Sequence, residues 1–299
     1  MRAAVYTENG TPADVLTVAE VEEPHAGPGQ VRVAVRAAGV NPADWKIVGG
    51  RMGRAPAGPT VPGIDAAGVV DEVGEGVTGV RVGDAVFGHA TGGSAAEYAV
   101  LTAWAGKPDA TPFEVAGGLP VAGETAVRVL DLLGLDAGST VVVDGASGGV
   151  GLVTVQVARA RGLRVIGTAG TGNQEFVRSL GALPTTHGPG LADRVRALAP
   201  DGVDGGIDTA GRGSVRDLIE LTGDPAKVVT IADFGAGELG VQVTSGGGGQ
   251  AVRLAEIAGL LAAGRLEVPI AGTFPLDRIG EAYAESQGGH VRGKLVLIP

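Results

Sequence analysis

The sequence predicts an α/β protein of two domains: a doubly wound parallel sheet with helices on both faces, and a discontinuous β domain built from both ends of the chain. Three observations lead there. Short strands and glycine turns fill the chain up to about residue 110, helices and strands alternate from about Val115, and at residues 141–151 a buried strand runs through a glycine-dense turn into a helix. A chain of 299 residues exceeds the usual size of one domain. The pattern divides it into 1–121 with 252–299 for the β domain and 122–251 for the parallel sheet.

Taken in order, Val31, Val33 and Val35 alternate with Arg32, Ala34 and Arg36, the period of a strand with one buried face. Residues 69–73 pass through Gly74, Glu75 and Gly76 towards 82–87, again strand, turn and strand, so the first region reads as all-β. An apolar helix is predicted around 125–133. Val141, Val142 and Val143 then make a strand, and Val150, Val153 and Val157 align on one stripe of a helix that stops at Gly162. A strand at 163–168 follows. Further strands are predicted at 206–208 and 227–232, each after a helical stretch, which argues for a parallel sheet covered on both faces. Leu254, Ile257, Ala258 and Leu261 align on a helix at 252–263; an extended run at 266–274, a helix at 276–286 and a strand at 295–298 close the chain. Returning that last strand to the N-terminal region makes the β domain discontinuous and predicts a ligand cleft between the domains.

The turn at Gly145, Ala146, Ser147, Gly148, Gly149, Val150 and Gly151 carries the chemistry. Glycines let the chain bend sharply and let phosphate oxygens approach, while the helix N-terminus offers bare N–H groups and partial positive charge. Glycine is abundant here, with 54 in the chain, so the motif gains meaning only from its context of strand, turn, helix and strand within about 30 residues. That context is a Rossmann-type dinucleotide site, with Ser147, Gly148, Gly149 and Val150 as diphosphate ligands; the alternative is a turn that serves helix–strand packing alone. An NAD-preferring site places an acid about 20 residues further on, to bind the ribose 2′-hydroxyl. That point falls at Thr168, and no carboxylate appears before Glu175. The absence admits the 2′-phosphate of NADPH in preference to NADH, with Thr168, Gly170, Thr171 and Asn173 as its ligands; the alternative is a surface loop of weak discrimination. Thr209 and the stretch Ile231, Ala232 and Asp233 stand at the carboxyl ends of later strands, where such sheets bind ligands.

A net charge of −10 argues against nucleic acid and anionic membrane as partners. No cysteine is present, and the four histidines are scattered, so no metal site is expected. The N-terminus lacks the pattern of a signal peptide and the chain lacks a long apolar span, so a cytoplasmic protein is expected.

These landmarks resemble the zinc-independent quinone oxidoreductase branch of the medium-chain dehydrogenase/reductase superfamily, the zeta-crystallin-like reductases. The resemblance rests on residues 37–46 (AAGVNPADWK), 62–70 (PGIDAAGVV), 82–88 (VGDAVFG), 145–151 (GASGGVG) and 293–297 (GKLVL), in order along nearly the whole chain. Metal-dependent relatives carry a Cys after the first glycine–valine turn and Gly-His-Glu where this chain has Gly63, Ile64 and Asp65. The resemblance implies a GroES-like β domain, a homodimer, and hydride transfer from NADPH to a quinone or an α,β-unsaturated carbonyl. It implies that Thr125 lies near the nicotinamide, that His187 stands where relatives pack a Tyr on the adenine, the alternative being a solvent-facing ring, and that Asp44, Trp45 and Lys46 lie in the loop that faces the cofactor. Met52 stands where some relatives place a Tyr.

Reduction of such a substrate develops negative charge on oxygen, which a donor or water must meet. Asn41 offers an amide to the carbonyl or the ribose, and Tyr6 is placed to reach the cleft. Asp44 and Lys46 have the alternative of an exposed ion pair at a helix start, and Tyr98 reads as core. No side chain is assigned as the catalytic acid, which leaves water as the proton source. The competing function is a non-catalytic NADPH-binding protein in a sensing or structural role.

Overall fold

The computed structural model describes residues 1–53 and 55–299. They form two compact units, one of residues 1–121, 250–263 and 268–299, the other of 122–249 and 264–267.

The first unit opens with β1 (Arg2–Val5), the single turn α1 (Pro12–Val15) and β2 (Thr17–Glu20), the two strands pairing antiparallel. Then come β3 (Val31–Val40), α2 (Pro42–Val48), β4 (Asp65–Val73), β5 (Ala85–Thr91), β6 (Tyr98–Gly106) and α3 (Phe113–Gly117). Along β3 the buried valines alternate as far as Arg36, and residues 37–40 are then buried on both faces. β3 pairs with β4 on one side; on the other, Val31 to Ala34 pair with β6, which closes four strands on themselves. The reading of this region as all-β left α2 only as the helix start weighed as an alternative for Asp44 and Lys46. Pro42 at its first position has the φ a helix needs and no N–H to satisfy, and Asn41 caps it.

The chain continues through α4 (Pro120–Leu133), longer at its start than the predicted helix, into β7 (Thr140–Asp144), α5 (Gly149–Ala160) and β8 (Arg164–Thr168). α6 (Gln174–Ser179), β9 (Leu183–Thr185), α7 (Leu191–Leu198), β10 (Gly205–Asp208), α8 (Val215–Thr222), β11 (Val228–Thr230) and β12 (Gln242–Val243) complete the second unit. Its sheet is parallel throughout, in the order β12-β11-β10-β7-β8-β9. Growth of the sheet reverses at β7, and loops diverge from the carboxyl ends of β7 and β10, where a ligand crevice forms in sheets of this kind.

Two sequence expectations change here. α5 is buried from Gly151 to Ala158 and not along one stripe. Its polar Gln156 is accommodated because the side chain exchanges hydrogen bonds with both backbone groups of Glu267, each 2.9 Å. β11 stops at Thr230, two residues short, because the Thr230 hydroxyl accepts from the N–H groups of Ala232 and Asp233 and turns the chain.

α9 (Gln250–Ala262), β13 (Ile270–Pro275), α10 (Ile279–Gln287) and β14 (Lys294–Ile298) return to the first unit. Only the later part of the extended run at 266–274 becomes strand. β14 pairs with β13 and, antiparallel, with Val40, Gly39 and Ala38 of β3. The core of this unit gathers Tyr6, Val31, Val33, Leu101, Leu276, Ile279, Tyr283 and Leu295, each large apolar side chain contributing roughly 1.5–3 kcal/mol on burial. Among the described residues no helix is long and apolar enough to cross a membrane.

Candidate active site

In the second unit β7 delivers the chain to Gly145, whose φ of +82° only glycine adopts without strain. Gly151 lies so close beneath the turn that a Cβ there would stand 2.1 Å from the Gly145 carbonyl oxygen. α5 starts at Gly149 with Gly148 as its cap and no side chain satisfying its first turn, so the helix presents bare N–H groups, as an anion requires. Ser147 of the turn and Asn173 of the loop after β8 stand within 3.5 Å, Oγ to Nδ2. Thr171 is exposed beside them, and Gln174 ties the loop down by donating to the carbonyls of Ala169, Gly170 and Thr185.

Thr168 departs from the sequence reading as a phosphate ligand. Its hydroxyl is fully buried, donates to Asp144 Oδ1 and accepts from Gly145 N–H, so it supports the turn from within. Thr209 is likewise committed, donating to the Asp144 carbonyl at 2.7 Å. Ile231, Ala232 and Asp233 are half-buried after β11, where the Asp233 carboxylate accepts from Gly235 N–H. His187 is exposed in a loop whose carbonyls at Thr186, His187, Gly188 and Pro189 all accept from Arg194.

Sequence reasoning missed two buried carboxylates at these strand ends. Asp144 accepts from Thr168 and, at 2.7 Å, from Ser214; Asp208 accepts from Thr230 and from the N–H groups of Ala210 and Gly211. It also missed the surroundings of Thr125. That hydroxyl accepts from Arg128 Nη2 at 3.1 Å; Arg128 further bonds the Glu124 carboxylate through Nε at 3.0 Å and reaches the Thr244 hydroxyl. The spacing of Glu124 and Arg128, four apart on a helix, was the available signal.

In the first unit two of the predicted substrate-side residues, Asn41 and Asp44, belong to a buried polar cluster. Asn41 caps α2 in a capping box: its backbone N–H donates to Asp44 Oδ2 at 2.8 Å, while its side chain accepts from the Asp44 backbone. The reading of Asp44 and Lys46 as an exposed ion pair is corrected, because Asp44 points inward and is 1% exposed. Lys46 lies over the Trp45 ring at 5.5 Å, and Trp45 Nε1 donates to Ser286. Burial raises the Asp44 carboxyl to about 8, against the help of its bond from Asn41 N–H; its Oδ1 has no hydrogen-bond partner. Tyr6 is buried and its phenol is pushed up by that burial, away from use as an acid at neutral pH. Met52 is half-buried, its N–H bonded to the Lys46 carbonyl. Tyr98 is half-buried with Arg32 stacked 5.1 Å above it.

Two further residues complete the cluster. Asn41 Nδ2 donates to Asp65 Oδ2 at 2.8 Å, and Lys294 Nζ donates to Asn41 Oδ1 at 2.5 Å and to the Val40 carbonyl at 3.1 Å. Asp65 Oδ1 accepts from Val121 N–H at 2.8 Å. Burial pushes the Asp65 carboxyl up, and Lys294, His89, Asn41 and Val121 pull it back; burial pushes the Lys294 ammonium down, and Asp65 and Asp44 pull it back. Both Asp65 oxygens accept from N–H donors, the pattern of an ionised carboxylate, and both contacts of Lys294 are acceptors. A lysine at the head of the apolar strand Leu295, Val296, Leu297 and Ile298 was the signal in the sequence.

A parallel-sheet unit with an uncapped glycine turn, alongside a partly closed β unit that reclaims the last strand, defines a medium-chain dehydrogenase/reductase. The alcohol dehydrogenase GroES-like domain family matches residues 27–107 and the zinc-binding dehydrogenase family residues 180–297. The chain is 31% identical to a quinone oxidoreductase of Rattus norvegicus, over all of this chain and 98% of that one. It is 33% identical to a 2-methylene-furan-3-one reductase of Solanum lycopersicum, over all of this chain and 79% of that one. Among solved structures it resembles a mycobacterial protein complexed with NADPH, with a TM-score of 0.87 and 26% identity over the whole of both chains. The chain belongs to the quinone oxidoreductase branch of the superfamily, a family of oxidoreductases.

Zinc, named in one of the matching families, does not fit the residues present. The chain has no cysteine, and among the described residues no three of His, Asp and Glu gather to hold a metal. Asn41 and Asp65 instead face the Lys294 ammonium, which repels a second cation. A dinucleotide does fit, since the turn at 145–151 leads into a helix whose first N–H groups no side chain caps, and Gly151 lets that helix pack close beneath the turn.

Proposed function

We propose that this chain is a metal-free, NADPH-dependent reductase of quinones or α,β-unsaturated carbonyls. The observation that carries the reading is the uncapped N-terminus of α5 behind its glycine turn, joined to a loop after β8 that holds no carboxylate before Glu175. The named activities of the rat and tomato relatives support the substrate class, and the mycobacterial NADPH complex supports the cofactor.

Bound NADPH supplies the hydride, and the protein's part is to bind, orient and exclude water. The N–H groups of Gly149 and Val150, with Gly148 and Ser147, hold the diphosphate. Asn173, Thr171 and the backbone at Gly170 take the 2′-phosphate, a role from which Thr168 is withdrawn by its bond to Asp144. Ile231, Ala232 and Asp233 line the carboxyl end of the sheet beside Thr209, and His187 faces the adenine. Thr125 already accepts from Arg128, so its own proton is free for an acceptor on the ligand. Asn41, Asp44, Trp45, Lys46, Met52 and Tyr6 form the substrate side, with water as the proton source. The protein acts as a cytoplasmic homodimer, checked by light scattering of the purified protein.

Titration of nicotinamide fluorescence, followed by stopped-flow mixing of the NADPH-loaded protein with a panel of quinones and enones, tests the reading. Substrate-dependent oxidation of NADPH is expected. Tight binding with an inert cofactor across the panel favours a non-catalytic binding protein, and the absence of binding overturns both.

A further inference from the structure

We infer that Lys294 and Asp65 are positioning residues that hold the Asn41 carboxamide in one orientation, so that its remaining N–H is the group offered to the ligand. The inference rests on the placement of Asn41 on the substrate side, as proposed above.

An asparagine amide has two near-identical ends, and its orientation is decided by its partners. Here both partners agree. The ammonium of Lys294 can only donate, and it lies 2.5 Å from Oδ1; the carboxylate of Asp65 can only accept when ionised, and it lies 2.8 Å from Nδ2. A flipped amide would set NH2 against NH3+ and C=O against COO−, two repulsive contacts in place of two charge-assisted bonds. Neither partner is free to move away. Lys294 also donates to the Val40 carbonyl, within the stretch where β14 pairs with β3, and the other Asp65 oxygen accepts from Val121 N–H. The Asn41 backbone is tied separately by its N–H to Asp44.

All four side chains are at most 4% exposed, so water does not compete for these bonds. The amide is left with one N–H on Nδ2 that neither partner takes. The N–H, polarised by the carboxylate and ammonium at either end, suits an oxygen that gains negative charge as hydride arrives. Chemistry of this kind needs an aimed donor, and the two charges supply the aim.

The chain has three asparagines, Asn9, Asn41 and Asn173, so protein labelled with 15N-asparagine shows three side-chain amide pairs. In the wild-type protein the pair lost in N41A is expected to be protected from solvent exchange and to move on adding NADPH. K294Q is expected to abolish the protection and to slow single-turnover hydride transfer about tenfold or more, with little change in the NADPH dissociation constant. K294R, which still donates, is expected to stay within about threefold of the wild type. On an N41A background K294Q is expected to have no further effect, because a residue acting through another loses its effect when that one is gone. A purely structural lysine would instead slow both backgrounds alike. The inference is overturned if the Asn41 amide of the wild type exchanges freely, if K294Q multiplies the defect of N41A, or if N41A leaves hydride transfer unchanged. The last result leaves the reductase reading intact, whereas a wild type that never oxidises NADPH defeats that reading while the exchange measurement still judges the hold on Asn41. Should K294Q fail to fold, D65N with the same labelling and kinetics decides, its expected effects being the same.

Discussion

In the second unit Asp144 and Asp208 are buried under neutral donors, the hydroxyls of Thr168, Ser214 and Thr230 and the N–H groups of Ala210 and Gly211. In the first unit Asp44 and Asp65 are buried around an ammonium and a carboxamide. The first arrangement holds its carboxylates with hydroxyls and N–H groups, and the bare N–H groups at the start of α5 add positive potential, which suits a site meant for a mobile diphosphate. The second sets charge against charge, which aligns a side chain firmly but leaves an expensive remainder if one member is removed.

That contrast can be broken experimentally, and the largest effect belongs to the charged cluster. Lys294→Met strands a buried carboxylate and is expected to cost about 3–5 kcal/mol in urea unfolding, whereas K294M combined with D65N removes the stranded charge and recovers most of that loss. Recovery that does not occur would show that Lys294 matters through packing.

In the second unit Gly151→Val is expected to raise the NADPH dissociation constant about a hundredfold or more, because the turn must open around a Cβ that has no room; calorimetric titration reads the loss, and that factor equals about 2.7 kcal/mol. Ser214→Ala, which leaves Asp144 one bond short, is expected to cost about 1–3 kcal/mol of stability on denaturant unfolding. An equal cost for this change and for K294M would erase the distinction between neutral and charged support.

Asp44 offers a pH test. Its folded-state carboxyl is raised by burial to about 8 from an ordinary 3.8, so the folded protein retains a proton that the unfolded chain releases. The contribution is complete below the ordinary value and is lost as pH rises through the folded value. D44N keeps an oxygen to accept from Asn41 N–H and removes the titration. Relative to D44N, the wild type is expected to lose on the order of 1 kcal/mol per pH unit between about pH 5 and 7, measured by denaturant unfolding at each pH. Asp65, Lys294 and Tyr283 face Asp44 in both proteins, and the comparison between the two isolates its own share. The smallest effect is expected at the loop after β8: N173A weakens NADPH binding about threefold to tenfold, and N173D turns the preference towards NADH. Equal affinities of N173D for both cofactors would move the 2′-phosphate away from Asn173.

Much of the fold was legible because its signals are local. The alternation of Val31, Val33 and Val35 and the glycine turn at 145–151 each act within a few residues, and the resemblance supplied the order of the rest. What was missed or misread involves partners distant in sequence. The stripe on α5 gave no hint that Gln156 would be satisfied by Glu267, and the reading of Thr168 as a phosphate ligand could not see Asp144 beneath it.

By itself the sequence determined where the chain must turn, because only glycine tolerates the dihedral at Gly145 and the contact at Gly151. It also determined, by the want of cysteine, that thiolate chemistry is closed to this protein. Tertiary structure alone decided what Asn41 is. Its amide is oriented by a lysine 253 residues away on the last strand and a carboxylate 24 residues away on another, and hydrogen bonds take their direction from partners that only the folded chain assembles.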